Sequence, residues 1–280
     1  MPIHHTARAP KEVREAFDIR CFVLPNGTGH ALIDLSAVEW MSPLGVVALL
    51  ARCLMATTEG VQVVVTLPSD RRARTYLSRI GFYAALRQQG VDINEEVYAL
   101  DNAYEVSACL PVTRVTGEIE MERASNSLFE ALQASGAPAE LLTVSYDVLA
   151  ELTNNAREHG SPCYVVAQTH TGRTSGTPGV HIAIADFGPG FRTTLKAYTP
   201  RSETEAILKA FKDRVSTTGD PLRGLGLGWV LSHVDRYPGA TLQIVSRNGL
   251  VTRRDGSFAR YRGGDCKGVF ASAYFPFLRH

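Results

Sequence analysis

The sequence predicts an α/β protein in two parts that divide near residue 112. In residues 1–112, short β-branched strands alternate with apolar helices, and this alternation requires crossover connections. In residues 113–280, two long helices come first and strand-like segments follow. An Asn-Gly pair inside that second group of strands is a hairpin signal. We therefore expect a small α/β layer fold, followed by an α/β sandwich whose largely antiparallel sheet carries helices on one face.

In the first part, strands are predicted over residues 30–35 and 61–67, and helices over residues 46–55 and 71–80. Pro43 opens the first helix, because proline suits the first turn. Ser69-Asp70 is placed to cap the second helix, and Gly81 ends it. We expect residues 1–14 to be an N-terminal tail and residues 15–112 to form the first domain.

In the second part, helices are predicted over residues 118–134 and 139–159, and strands over residues 164–169, 180–185, 241–246 and 268–277. Gly136-Ala-Pro separates the two helices. The hairpin signal is Asn248-Gly249. We expect residues 113–280 to form the second domain.

Composition excludes several classes of protein. The 280 residues include 29 basic and 28 acidic side chains, and this balance argues against direct binding of nucleic acid. The longest strongly apolar stretch, residues 44–51, is far shorter than the ~20 residues of a membrane helix. The first residues lack the apolar core of a secretion signal, and none of the five cysteines forms a CxxC pair. We expect a cytoplasmic protein with reduced cysteines.

The charge is distributed unevenly between the two parts. Residues 1–112 carry 10 basic and 12 acidic side chains, whereas residues 113–280 carry 19 and 16. The stretch 192–223 alone holds seven basic and four acidic residues. Such a run fits either a solvated surface or a site that neutralises an anion.

Three polar side chains lie on or beside the apolar face of the helix predicted over residues 139–159. At about 100° per residue, Asn155 and His159 fall within that face and Glu151 falls at its edge. A single such residue is more often a hydrogen-bonded core residue than a ligand. Three in a line at i, i+4 and i+8 favour a functional site, because burying them without partners is costly.

Two glycine motifs follow in the chain. Asp186-Phe-Gly188-Pro-Gly190 comes directly after a predicted strand, so a carboxylate stands at the strand end and glycines permit close approach to a ligand. Arg223-Gly224-Leu-Gly226-Leu-Gly228 precedes a helical run, and such an N-terminus favours phosphate. Leu231 occupies the position where a dinucleotide-binding fingerprint would need glycine, and no P-loop motif is present.

In this order, ExxxNAxxHG, DxGxG and GLGLG resemble the N, G1 and G2 boxes of the GHKL ATPase superfamily, and are most similar to those of anti-sigma-factor serine kinases. The resemblance covers roughly residues 113–280. It implies an ATP-binding α/β sandwich with a mobile lid at about residues 192–223.

The resemblance also implies roles for individual residues. Asn155 would hold Mg²⁺ against the phosphates, Asp186 would receive the adenine amino group, and Glu151 would be the general base. His159 would contact the nucleotide. The remaining residues would surround the base or the phosphates: Gly188, Gly190, Arg223, Gly224, Gly226 and Gly228.

Residues 33–45 are similar to the strand–turn–helix of STAS domains, the anti-sigma-factor antagonists, and the similarity extends loosely over residues 15–110. Antagonists carry Asp-Ser-Ser-Gly before this helix, with the first Ser phosphorylated. Here the aligned residues are Ser42-Pro43-Leu44-Gly45, so the acceptor position is Pro43, which has no hydroxyl. We expect no working phospho-switch in this part.

Two functions follow from these motifs. The first is a cytoplasmic regulator that binds Mg·ATP and either hydrolyses it or phosphorylates a protein partner. The alternative is a non-catalytic, ATP-gated module whose STAS-like part presents a surface to a partner. A homodimer is compatible with both. A sensor histidine kinase is set aside, since residues 113–140 contain no histidine that could accept phosphate.

Overall fold

The computed structural model describes residues 4–14, 29–93, 108–159, 162–171, 178–212, 226–262 and 267–277. Within these ranges the chain is a mixed α/β fold with eight α-helices, one large antiparallel sheet and smaller parallel sheets. The α/β class predicted from the sequence is confirmed. None of the helices in this described part combines the length and hydropathy that a membrane-spanning segment requires.

The first part is built on a parallel sheet of four strands. In spatial order they are β1 (His4–Arg8), β3 (Gly29–Asp34), β5 (Val61–Thr66) and β6 (Asp92–Ile93). A separate parallel pair joins β2 (Glu12–Val13) to β4 (Trp40–Met41). The helices of this part are α1 (Pro43–Thr58), α2 (Arg71–Arg79) and α3 (Phe82–Gln88). The helices connect parallel strands, as the predicted crossovers require.

Residues 4–14 belong to this fold, although the sequence predicted an N-terminal tail over residues 1–14. Strand β1 pairs with β3 along its whole length, from His4 opposite His30 to Arg8 opposite Asp34. Ala7 is buried, whereas its neighbours remain partly or fully exposed. An edge strand of this kind is held mainly by main-chain hydrogen bonds, so its composition gives little hydrophobic signal.

The second part is built on seven antiparallel strands. Their spatial order is β12 (Ser257–Arg262), β11 (Gly249–Arg254), β10 (Thr241–Ser246), β13 (Val269–Pro276), β9 (Pro178–Asp186), β8 (Cys163–Thr171) and β7 (Ala108–Val115). The accompanying helices are α4 (Glu118–Ala134), α5 (Ala139–Glu158), α6 (Phe191–Thr194), α7 (Glu203–Ala210) and α8 (Gly226–Arg236). The predicted antiparallel sheet with packed helices is therefore present.

The hairpin between β10 and β11 turns one residue earlier than the sequence predicts. Ser246 pairs with Gly249, so the two loop residues are Arg247 and Asn248, and Gly249 begins the strand. Gly249 allows the backbone of α7 to pack closely on this strand, because a Cβ at Gly249 would lie 2.7 Å from the backbone nitrogen of Thr204. Arg247 takes the left-handed conformation, with φ at 49°.

Helix α1 lies between the two sheets and is buried over most of its surface. A helix that is apolar all round needs neighbours all round, and the run over residues 43–51 has no polar face. On one side α1 packs on β5, and on the other it packs on β8, β9 and β13. The seven-stranded sheet thus carries helices on both faces, whereas the sequence predicted helices on one face.

Side chains alternate across the central strands of the large sheet. Ala183 and Ala185 of β9 face α1, whereas Ile182 and Ile184 face α5 and α8. Small residues on the α1 side let the helix approach the sheet closely. The residues of the two parts consequently share one apolar cluster.

Polar contacts also join the two parts. The Tyr76 hydroxyl donates to Gln168 Oε1 over 2.6 Å. Val112 belongs to β7 of the large sheet, although it precedes the predicted boundary, and its amide donates to the Ile80 carbonyl over 2.8 Å. Lys267, just before β13, forms an ion pair with Glu59 at the end of α1.

Candidate functional site

The apolar face predicted on α5 is present. Its members are buried: Leu141, Val144, Val148, Leu149, Leu152 and Ala156. Glu151, Asn155 and His159 lie along the same side and are half-buried. Asn155 and His159 line a cleft between α5 and the sheet, so these two residues border a space rather than a packed core, whereas Glu151 does not line the cleft.

This cleft encloses about 530 Å³ of space between atoms, a volume that includes the part open to solvent. Its walls are mainly apolar and come from α5, α8 and the sheet: Leu152, Leu227, Ile184, Ile244, Val269 and Ala271. Asp186, Gly188 and Gly190 also line it. The structure therefore brings together five of the residues that the sequence predicted for one site.

Asp186 ends β9 and is 8% exposed. Its Oδ1 accepts hydrogen bonds from the amides of Gly188, at 2.7 Å, and Val269, at 3.1 Å. Burial raises the pKa of Asp186 to about 6, although the two amides act in the opposite direction. Both donors approach Oδ1, and no described residue donates to Oδ2. One carboxylate oxygen is thus available to a ligand's donor group.

The glycines after Asp186 keep the loop close to its neighbours. A Cβ at Gly188 would lie 3.1 Å from the Asp186 carboxylate. Gly190 has a φ of 90°, which only glycine adopts readily, and a Cβ there would lie 2.9 Å from Ser246 Oγ. These two positions form one side of the cleft without side chains.

Glu151 lies beside Asn155 and the start of α8. Asn155 Nδ2 donates to Glu151 Oε1 over 3.4 Å, and a Cβ at Gly226 would lie 2.0 Å from the same oxygen. Burial, and then the charge of Glu158, raises the pKa of Glu151. Burial lowers the pKa of His159. Glu151 therefore binds protons more readily than usual, and His159, about two helical turns further along α5, binds them less readily.

The second glycine motif is described in part. Gly226 is the first residue of α8 and Gly228 lies in its first turn, so the helix begins inside the motif rather than after it. Arg223 and Gly224 lie outside the described residues. Gly226 has a packing reason that the sequence did not reveal, because it makes room for Glu151.

The basic stretch 192–223 is described as far as residue 212. Its described cations do not line the cleft: Arg192, Lys196, Arg201, Lys209 and Lys212. Lys209 donates to the Tyr198 carbonyl over 2.6 Å and pairs with Glu205. This portion fits the solvated-surface interpretation, and the remaining basic residues of the stretch lie outside the described ranges.

Sequence reasoning missed a buried brace behind the glycine loop. Glu203, 7% exposed, accepts hydrogen bonds from the Ser246 hydroxyl at 3.0 Å and the Arg192 amide at 3.1 Å. The Ser246 hydroxyl in turn accepts from the Phe191 amide at 3.0 Å. No sequence motif marks this network, because its members come from three separate elements.

Among the described residues, no group of three or more His, Cys, Asp or Glu side chains is arranged to hold a metal ion by itself. Comparisons of the chain with protein-family models, with curated proteins and with solved structures found no match. The chemistry of the cleft therefore follows from its own residues alone.

Proposed function

We propose that the second part of the chain is a GHKL-type domain that binds ATP in the cleft beside α5. The observation that carries this proposal is Asp186, a buried carboxylate with one oxygen held by two amides and one available. An exocyclic amine would supply the missing donor. The apolar walls suit the faces of a purine, because an aromatic ring is stabilised by loss of water on both faces.

The residues also fit Mg²⁺ as a companion of the nucleotide. Magnesium is usually held by few protein oxygens together with substrate phosphates and water, so a dedicated carboxylate cluster is not required. Asn155 lines the cleft together with Asp186 and donates to Glu151, and it is the residue that we assign to the ion. Bound Mg²⁺ would neutralise phosphate charge. Gly224, Gly226, Gly228 and Arg223 are assigned to the phosphates by the motif resemblance.

Glu151 is the residue that we assign to proton transfer. Its pKa is raised by burial, which makes its carboxylate a stronger base while it remains ionised. It would accept the proton of the attacking hydroxyl, which belongs either to water or to a serine or threonine of a protein partner. The proposed activity is thus ATP hydrolysis or phosphorylation of a regulatory partner protein.

The test is nucleotide binding and turnover by the full chain. We expect the wild type to bind Mg·ATP in calorimetry and Asp186→Asn to lose most of this affinity. Asp92→Asn, at an exposed aspartate of β6, is the matched control and should bind as the wild type does. Failure of the wild type to bind adenine nucleotides would overturn the proposal.

A second candidate function is an ATP-gated binding module without phosphoryl transfer. Ser42 favours it: this side chain is 1% exposed, and its Oγ accepts from the Gly45 amide as the N-cap of α1. With Pro43 next to it, the STAS-like part offers no accessible acceptor hydroxyl at this turn. Glu151→Ala distinguishes the two candidates: it would abolish the biological effect of the protein if phosphoryl transfer is required, and it would leave that effect intact if only ATP binding matters.

A further inference from the structure

The residue after Asp186 reaches the opposite face of the sheet. Phe187 packs against the apolar cluster that contains α1, and its ring meets Tyr164 edge to face with the centroids 6.1 Å apart. Asp186 meanwhile lines the cleft on the other face. Two consecutive side chains thus link the cleft to the first part of the chain.

The start of β13, which supplies the second amide to Asp186, is also linked to the first part of the chain. The Val269 amide donates to its carboxylate, and Val269 follows Gly268, where a Cβ would lie 2.2 Å from the Asp186 carbonyl oxygen. Lys267 precedes them and forms an ion pair with Glu59, the residue that follows α1. The start of β13 is therefore tied to the end of the same helix.

We propose that the first part of the chain positions the ligand-binding carboxylate, with Phe187, Glu59 and Lys267 as positioning residues. The end of β9 packs through Phe187 on the apolar cluster that contains α1, and the start of β13 is tied through Lys267 to the residue after α1. Helix α1 also covers β8, β9 and β13 from behind. Displacement of α1 would shift Asp186 relative to its two amides. This inference rests on the proposed function only for the identity of the ligand as ATP.

The consequence is a route of regulation. A protein partner that binds the first part and moves α1 would change the affinity of the cleft without touching the nucleotide. The coupling has a physical path of packed side chains and one ion pair, with no need for a long-range rearrangement.

The experiment uses the full chain with four variants: Phe187→Ala, Glu59→Lys, Lys267→Glu and the charge-swapped pair of the last two. Tyr76→Phe is the matched control, since it removes a hydrogen bond between the two parts away from Asp186. Hydrogen exchange of residues 186–191 is measured without nucleotide. The affinities for ATP and for purine riboside triphosphate, which lacks the 6-amino group, are then compared.

For Phe187→Ala we expect faster exchange over residues 186–191 and about tenfold weaker ATP binding, the effect of losing one hydrogen bond to a charged group. Each single charge reversal should weaken ATP binding about threefold, and the swapped pair should restore it. The preference for ATP over the purine analogue should fall in parallel. Tyr76→Phe should lower stability and leave this preference unchanged.

Two results would overturn the inference. One is unchanged exchange over residues 186–191 in Phe187→Ala, which needs no nucleotide and is therefore independent of the proposed function. The other is equal loss of affinity for both nucleotides in every variant, including Tyr76→Phe, which would indicate general destabilisation. Absence of ATP binding by the wild type, with altered exchange in the variants, would reject the ligand and support the positioning role.

Discussion

At Asp186, binding and stability place opposite demands on one side chain. Its burial makes the charged form costly, and the raised pKa of about 6 records that cost. Only the charged form can serve as a pure acceptor for a ligand amine. The two amides on Oδ1 offset part of the burial and hold the carboxylate toward the cleft.

The substitution Asp186→Asn should therefore separate binding from stability. Asparagine keeps an acceptor for the two amides but removes the buried charge. We expect the free energy of unfolding at pH 7.5 to rise by up to about 3 kcal/mol, from the displacement of the pKa above its ordinary value. Denaturant unfolding at pH 7.5 measures this change.

The contribution of Asp186 to the free energy of unfolding should depend on pH. A folded-state pKa above the unfolded value means that the native protein binds more protons between about pH 4 and pH 6, so Asp186 destabilises the fold above pH 6 and this penalty fades as the pH falls. The difference between Asp186→Asn and the wild type should shrink toward pH 4. A difference that stays constant from pH 7.5 to pH 4 would contradict the raised pKa.

At the scale of elements, the loop after β9 depends on α7 and β10. Ser246 links them, because its hydroxyl accepts from Phe191 and donates to Glu203. Glu203 lies in the first turn of α7, where a negative charge is favoured by the helix dipole. The brace holds α6 against the sheet and so fixes one wall of the cleft.

Replacing Ser246 by alanine should loosen this wall. The Phe191 amide would lose its acceptor and Glu203 one donor, and we expect a loss of about 1–3 kcal/mol in the free energy of unfolding. Ser232, which is partly exposed on α8 and whose hydroxyl donates to the Trp229 carbonyl, provides the matched Ser→Ala control. Equal unfolding midpoints for the two variants would argue against the brace.

The elements were largely predictable because periodicity and caps are local signals. Helix α4 matches its predicted bounds, and α2 begins after the Asp70 cap, whose side chain accepts from Ala73. The missed strands have other causes. Strand β12 is exposed over most of its length, so it lacks an apolar pattern. Strand β1 is an edge strand that is defined by its partner.

The site was predictable where a residue type carries chemistry, as in the stripe on α5 and the carboxylate at the end of β9. The residues that hold this stripe and this carboxylate in place were not predictable. Val269 contributes a main-chain amide, which any residue would supply, and Ser246 and Glu203 meet only after the sheet has formed. The placement of α1 against both sheets was also missed, because an apolar helix does not reveal what will cover it.

At the scale of the whole molecule, the two parts form one packed unit around α1. Separating them before β7, between residues 107 and 108, would expose the face of β8, β9 and β13 that carries Tyr164, Val166 and Phe270. We expect residues 108–280 expressed alone to aggregate, and coexpression with residues 1–107 to recover soluble complex. Gel filtration of the separately and jointly expressed parts measures this.

A single cooperative unfolding transition of the full chain would accompany that result, since a shared core couples the two parts. Two separated transitions, together with a soluble and monomeric fragment 108–280, would contradict a structural dependence between the two parts.

Helix α1 has a consequence for how such a sequence can change over generations. Ala48 and Ala51 are fully buried on a helix that packs on both sheets. A larger side chain at either position would therefore clash with its neighbours, because it could not turn toward solvent. An accepted enlargement would require a compensating loss from the neighbouring sheet, for example at Ala183. We therefore expect residues of the two parts to vary together, and neither part to be exchangeable for that of a distant relative without its counterpart.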